Sequence, residues 1–280
     1  MRYSWMAFNQ VSVRFEAKFS MNKNSSHNKT DMTTVLIAMY NGSKTIEATI
    51  DSILKQTTKN ITILICDDGS TDDSIEKVLT LNNKHITLIK NDINIGLAQT
   101  RKKLLLLVKT KWIAFIDQDD TWRHDKIERQ IELMKLENCA MCHTYFNFIT
   151  SGMSVTKTIK SKPKIAYKDL LNGFVPGAST VLINTEHFKS LSGFCGDRRF
   201  DPINDYVIWL YLFRDTENYS ICLEEPMMNY YFHGENLSRN KFLQIYRHFY
   251  ILKNIEKVGI LRLVISVYQN IFNKIKNYIL

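Results

Sequence analysis

No stretch of the 280 residues has the roughly 18 uninterrupted apolar residues that a membrane span requires, so a meeting with a membrane is expected only at its surface. The segment from Met1 to about Thr30 also lacks the apolar core and small-residue cleavage site of a signal peptide, because Arg14, Glu16 and Lys18 interrupt it. Export by that route is not expected. The five cysteines are odd in number and irregularly spaced, which argues against a disulfide framework and for a reducing, cytoplasmic setting. Neither the dinucleotide fingerprint G-x-G-x-x-G nor the P-loop G-x-x-x-x-G-K follows the first apolar run, and dehydrogenase and P-loop NTPase readings fall away. Cys139-Ala140-Met141-Cys142-His143 matches the C-x-x-C-H of c-type haem attachment. That chemistry goes with export, and in an apolar stretch cysteines serve as small core residues. No second C-x-x-C or suitable His pair completes a zinc site.

What is present is ordinary globular composition, 45% hydrophobic and 23% charged, enough for one compact catalytic domain with appendages. The formal charge of +9 predicts an anionic partner, for which nucleic acid, acidic lipid and nucleotide diphosphate all qualify. The polar run Asn22 to Asp31 reads as a linker that sets residues 1–30 apart. Thr33–Met39 is a β-branched and apolar run stopped by Tyr40-Asn41-Gly42, and reads as a buried strand. Ile46, Ile50, Ile53 and Leu54 recur at helical spacing, and Ile61–Cys66 returns to a strand pattern. Ser70 with Asp73 has the spacing of a capping box ahead of a helix over Ile75–Leu81. A weaker strand at His85–Ile89, a helix over Leu97–Val108 and a buried strand at Trp112–Ile116 follow. Four strands alternating with helices predict an α/β fold with a doubly wound, mainly parallel sheet. Beyond residue 135 the pattern is less regular: Ala140–Ile149 is strand-like, Gly173–Ile183 is a loop entering a strand, and Asp205–Phe213 is helical and aromatic.

In such sheets ligands collect beyond the carboxyl ends of the strands, where strand order reverses. Asp67 and Asp68 follow the second strand, and Asp117, Asp119 and Asp120 follow the strand at Trp112–Ile116. Carboxylates gathered at one edge raise one another's pKa unless a cation intervenes. Oxygen-only ligands favour magnesium or manganese. A polar loop leading into a helix at Lys126 would use the same four residues Asp117-Gln118-Asp119-Asp120 without chemistry.

The order of motifs distinguishes the two readings. Met39-Tyr40-Asn41, Ile50-Asp51-Ser52-Ile53-Leu54-Lys55-Gln56-Thr57, Asp67-Asp68-Gly69-Ser70-Thr71-Asp72, Asn94-Ile95-Gly96-Leu97-Ala98 with Arg101, and Phe115-Ile116-Asp117-Gln118-Asp119-Asp120-Thr121-Trp122 stand in succession. In this the chain resembles family 2 glycosyltransferases of the GT-A fold, over roughly residues 31 to 238 and most strongly up to Ile127. The resemblance implies that Ala38 and Tyr40 lie against the nucleotide base, that Asp68 accepts a hydrogen bond from it, and that Arg101 supports that pocket and the pyrophosphate side. Asp117 would contact the ribose or a metal-bound water, and Asp119 would be the direct ligand of Mn2+ or Mg2+. The family's catalytic base, the Asp of a Glu-Asp motif, matches Asp205 in Asn204-Asp205-Tyr206-Val207-Ile208-Trp209-Leu210, with Asn204 where the family carries the first acid. Asp205 also suits the first turn of a helix for electrostatic reasons alone. Tyr230 to Ser238 resembles the family's terminal Y-x-H-x-x-N-x-S segment, in which His233 would contact the metal or diphosphate.

These roles imply inverting transfer from a nucleotide diphosphate sugar, a uridine one, to a glycan or lipid-linked acceptor in surface-polysaccharide assembly. No nucleic-acid partner is expected. Residues 31–135 would bind the donor and 136–238 the acceptor. A sugar-1-phosphate nucleotidyltransferase shares the sheet and the carboxylate-bound metal but carries a glycine-rich basic loop where this chain has Tyr40-Asn41-Gly42-Ser43-Lys44. A non-catalytic membrane-surface scaffold is the third alternative. The tail, residues 239–280, places Leu261, Val264, Ile265, Tyr268, Ile271, Phe272, Ile275 and Ile279 on one helical stripe amid basic residues. That stripe fits a lipid surface or packing on protein.

Overall fold

The computed structural model describes residues 32–150, 154–187, 196–214, 216–232 and 241–278. The N-terminal extension and His233 lie outside the described residues. The first half alternates as expected: β1 (Thr33–Met39), α1 (Ile46–Leu54), β2 (Ile61–Asp67), α2 (Ser74–Thr80), β3 (Ile86–Lys90), α3 (Leu97–Leu107) and β4 (Trp112–Phe115). Then come β5 (Thr121–Trp122), α4 (Lys126–Glu137), β6 (Met141–Ile149), β7 (Val155–Ile159), β8 (Lys164–Ala166), α5 (Tyr167–Leu171), β9 (Leu182–Asn184), α6 (Asn204–Phe213) and β10 (Tyr219–Tyr231). Helices α7 (Lys241–Tyr250) and α8 (Ile260–Tyr278) close the described chain, joined through a π turn at Ile251–Ile255.

One sheet runs through both halves in the order β3-β2-β1-β4-β9-β6-β10-β5, with β7 beside β6 and β8 beside β10. Strands β1 to β4 are mutually parallel. The chain winds outward from β1 to β3 and then returns to lay β4 against the other side of β1. The switch point of the sheet is therefore at the ends of β1 and β4. In register, Met39 faces Asp67 and Leu36 faces Phe115, so Tyr40, Asp68 and Asp117 leave adjoining strands at one edge. Strand β9 is antiparallel to both β4 and β6, and makes the sheet mixed.

Alternation along β1 explains why helices cover both faces. Val35, Ile37 and Met39 point into one core with Ile46, Ile50, Ile53 and Ile127, while Leu36 points into the other with Leu104, Phe115, Trp209 and Phe213. Each such burial is worth roughly 1.5–3 kcal/mol against exposure. The second core is completed by the tail, since Ile251 and Leu252 are fully buried in it.

Two expectations are corrected. Ser70 does not cap α2: its Oγ accepts from the Asn41 amide at 2.9 Å, and the Ser74 amide instead donates to Asp72 Oδ1 at 3.1 Å. The turn after β2 is thus stitched to the turn after β1 before the helix begins. The sequence reading also missed β10, a 13-residue strand that is interrupted at Pro226, where its register against β6 shifts. Proline within a strand is tolerated at such an irregularity because no ladder donor is needed there.

The apparent haem motif belongs to the core. Cys139 and Cys142 are buried free thiols, and burial pushes them up to about 11 and about 12. His143 is fully buried, with Nδ1 2.6 Å from Ser220 Oγ and Nε2 3.0 Å from Lys162 O, and burial pushes its pKa down to about 4. It is a neutral, hydrogen-bonded core residue.

Candidate active site

Asp68 is buried at the end of β2, and its carboxylate organises the next loop. Oδ1 accepts from the Ile95 amide and Asn91 Nδ2, both at 2.9 Å, and Oδ2 accepts from the Gly96 amide at 2.9 Å. That accounts for the Asn94-Ile95-Gly96 motif: Gly96 sits at φ +93°, a conformation glycine adopts without strain, and so turns its amide to the carboxylate. With three donors in place, Asp68 retains capacity for one further hydrogen bond. Ala38, half-buried, and Tyr40, 44% exposed, lie on the adjoining strand end.

Gln118, the middle residue of the acidic motif, ties this platform to the carboxylates. Its Oε1 accepts from the Tyr40 amide at 2.8 Å and its Nε2 donates to Tyr40 O at 3.0 Å. Gly42 leaves room for it, for a Cβ there would meet Gln118 Oε1 at 2.5 Å. The sequence reading passed over Gln118. An amide between two acids just after a buried strand was the available signal.

Arg101 projects from α3 and is almost wholly buried. Nη1 donates to Asn204 Oδ1 at 2.7 Å and Nη2 pairs with Asp117 Oδ1. The guanidinium thus joins the acidic loop to the first turn of α6, where Asp205 lies. Burial, reinforced by the charge of Asp117 and opposed by Arg101, pushes the Asp205 carboxyl up to about 6. Its Oδ1 accepts from the Tyr206 amide at 2.8 Å. Asp119 is likewise pushed up to about 6, by burial and then by the charge of Asp117. Asp120 is buried, with Oδ1 lacking a partner, and burial and both neighbouring acids hold it well above the usual carboxylate range.

Ser179 closes the floor, again unforeseen from the sequence. Its Oγ accepts from the Asp117 amide at 3.0 Å, and its carbonyl accepts from Trp122 Nε1 at 2.8 Å. Trp209 Nε1 donates to Pro176 O at 3.0 Å, so two indoles hold the 176–180 loop from opposite sides. Asp201 clamps the far wall, accepting from the Ala98 amide at 2.8 Å at the start of α3.

The structure therefore brings Ala38, Tyr40, Asp68, Arg101, Asp117, Asp119 and Asp205 to one edge of the sheet, while His233 lies outside the described residues. Among the described residues no three Asp, Glu, His or Cys side chains form a ligating cluster. The closeness of Asp117 and Asp119 would suit a hard divalent cation, because the charge of Asp117 raises Asp119 and such an ion would relieve that repulsion.

The model of Glycosyl transferase family 2 matches residues 34–190, more than half of the chain. Two Escherichia coli proteins named as UDP-Glc:alpha-D-GlcNAc-diphosphoundecaprenol beta-1,3-glucosyltransferases are similar along most of their length. WfaP is 32% identical over 88% of this chain and 96% of its own, and WfgD is 30% identical over 79% and 85%. Among solved structures, Staphylococcus aureus TarS 1–349 in complex with UDP-GlcNAc superposes with a TM-score of 0.64 at 15% identity, covering 88% of this chain and 73% of that one. The Pyrobaculum calidifontis mannosyltransferase PcManGT, in complex with GDP-Man and Mn2+, gives 0.62 at 14% identity, covering 85% and 69%. These neighbours share the fold. With its motifs in order along a GT-A sheet and its carboxylates gathered at the switch point, the chain belongs to glycosyl transferase family 2 and is a glycosyltransferase.

Proposed function

We propose that the protein transfers a single hexose, glucose in the first instance, from a uridine diphosphate sugar to a lipid-linked acceptor, with inversion at the anomeric carbon. The observation that carries this reading is the convergence on Arg101 of Asp117, at the donor side, and the Asn204–Asp205 turn, at the acceptor side. The names of WfaP and WfgD support the donor and the acceptor class, since both relatives align across most of this chain.

Tyr40 and Ala38 form the platform for the base, and the remaining acceptor position of Asp68 suits the imide N–H of uracil. Asp119 is the residue that would hold Mn2+ or Mg2+ directly, with Asp117 meeting the ribose or a metal-bound water and His233 a further contact to the metal or diphosphate. Such an ion, when bound, supplies Lewis-acid neutralisation of the departing diphosphate. Asp205 acts on the other side of the sugar. Its carboxylate takes the proton of the acceptor hydroxyl as the oxygen bonds to the anomeric carbon. The bond to the diphosphate breaks, and the nucleoside diphosphate leaves with the electron pair. A carboxyl at about 6 is mostly ionised at pH 7 yet basic enough to share a proton in the transition state. Asn204 stands where the family carries an acid, lacks its charge, and accepts from Arg101. In this reading residues 31–135 serve the donor, 136–238 the acceptor, and the enzyme works at the inner face of the cytoplasmic membrane.

The test is nucleotide release from UDP-glucose and a panel of other nucleotide sugars, with and without a diphosphate-lipid acceptor, in manganese, magnesium or chelator. Metal-dependent release that is lost in Asp119→Ala and Asp205→Asn supports the proposal. Donor binding without release under any acceptor, in a protein indifferent to Asp205→Asn, overturns it in favour of a scaffold.

A further inference from the structure

Helix α8 packs the wrong way round for a helix whose apolar stripe belongs to the core. Among its described side chains Leu263 and Ser266 are the buried ones, 6% and 1% exposed, and Ser266 Oγ donates to Leu171 O. The apolar side chains of the same two turns face outward: Ile260 is 82% exposed, Leu261 77%, Val264 62%, Ile265 45% and Tyr268 69%. At helical spacing these five span an arc of about 140°, and the sequence continues it through Ile271, Phe272 and Ile275. A contiguous exposed apolar face of this kind marks an interaction surface.

Charge identifies the occupant. Residues 241–280 carry seven Lys and Arg against a single acid, Glu256. That acid is spent: its side chain is 2% exposed and pairs with Arg214 while accepting from the Tyr167 hydroxyl. Arg262 within the helix and Lys253 and Lys257 shortly before it in the chain are exposed. Two copies of this chain meeting through the face would bring these cations together with no acid to answer them. An anionic lipid surface answers both the charge and the apolar arc. Among the described residues no helix is long and apolar enough to cross a membrane, which leaves the interface plane.

We propose that α8 docks on a bilayer rich in anionic headgroups, with Ile260, Leu261, Val264, Ile265 and Tyr268 at the acyl boundary. The docked helix is one layer from the proposed base. His248 Nε2 lies 3.1 Å from Ser266 Oγ, and the His248 ring stacks on Tyr206, the neighbour of Asp205, at 5.0 Å between centroids. Docking thus holds the helix that carries the proposed base close to the membrane in which a lipid-linked acceptor sits. This last step rests on the proposed acceptor, whereas the docking itself does not.

The full chain is to be sedimented with vesicles of phosphatidylcholine alone and of phosphatidylcholine with phosphatidylglycerol, beside Leu261→Glu/Val264→Glu and the milder Ile260→Gln/Tyr268→Gln. Both variants change exposed side chains, so their melting temperatures should match the parent. Binding to the phosphatidylglycerol vesicles, weakened by salt and reduced by at least about tenfold in the Leu261→Glu/Val264→Glu variant, is expected. No binding to those vesicles, binding by both variants equal to that of the parent, or a parent dimer that the variants split into monomers would overturn the proposal. Nucleotide release measured without vesicles should be the same in parent and variants, so a failure of docking and a failure of the enzymatic reading are separable.

Discussion

Arg101 Nη1 and Asn204 Oδ1 are 2.7 Å apart beneath the cleft, and this bond spans the two halves of the sheet. Because the same guanidinium pairs with Asp117, a side chain that reaches one partner alone cannot replace it. Arg101→Lys should lower kcat by about 100-fold, the cost of a small misplacement of reacting groups. Asn204→Leu should lose a similar factor while remaining folded. Steady-state kinetics beside circular dichroism checks both, and an Arg101→Lys enzyme of full activity would contradict the bridging role.

Asp205→Asn should reduce kcat by about 10²–10⁴-fold, the usual worth of a positioned base. For the free enzyme, kcat/KM should fall on the acid side with an apparent pKa near the value of about 6 that burial imposes on Asp205. A pH–rate profile flat between pH 5 and 8 would count against Asp205 as the base.

Gln118→Ala removes both hydrogen bonds to the Tyr40 backbone but no charge. Each such bond is worth about 1 kcal/mol net. The donor KM should therefore rise by up to about 30-fold, with kcat less affected. Gln118→Glu should be worse, since it adds a third negative charge between Asp117 and Asp119 and loses the donor to Tyr40 O. Donor titration of the two variants decides the order.

The raised carboxyls make a signed prediction for stability. Asp119 titrates near its ordinary 3.8 when unfolded and at about 6 when folded, so between those values the native state holds more protons. Its contribution to stability is greatest below that window and is lost as pH rises through about 6. In chelator, Asp119→Asn should melt at least about 2 °C above the parent at pH 7.5, and the gap should close below pH 4. Manganese should raise the melting temperature of the parent alone at pH 7.5. Calorimetry across pH gives the answer, and a gap that widened toward acid would refute the sign.

Sequence pattern carried the first half of the fold because β1 to β4 alternate with helices at short intervals, and their apolar runs are unmistakable. It marked candidate site positions at the sheet edge for the same reason: Asp68, Asp117 and Asp119 come just after buried strands. Ser179 was not legible and Gln118 was signalled only by its place between two acids, since both act through backbone groups remote in sequence, Asp117 and Tyr40. The β10 strand was hidden by Pro226 and by charged Glu224 and Glu225, which break the alternation that would have announced it. The outward face of α8 could not have been read at all. Periodicity gives a stripe but not which way it points, and the small Ser266, bonded to a distant carbonyl, decided that.

The indoles that hold the 176–180 loop have an optical consequence. Of the four tryptophans in the chain, Trp122 and Trp209 donate to carbonyls of that loop, and Trp122 also lies 4.1 Å from the Lys126 ammonium. Two of the protein's four indoles are thus placed to report on the floor of the cleft. Arrival of a nucleotide or a cation there should be visible as a change in intrinsic fluorescence, with Trp122→Phe silencing most of it, so that occupancy can be followed without turnover, acceptor or dye.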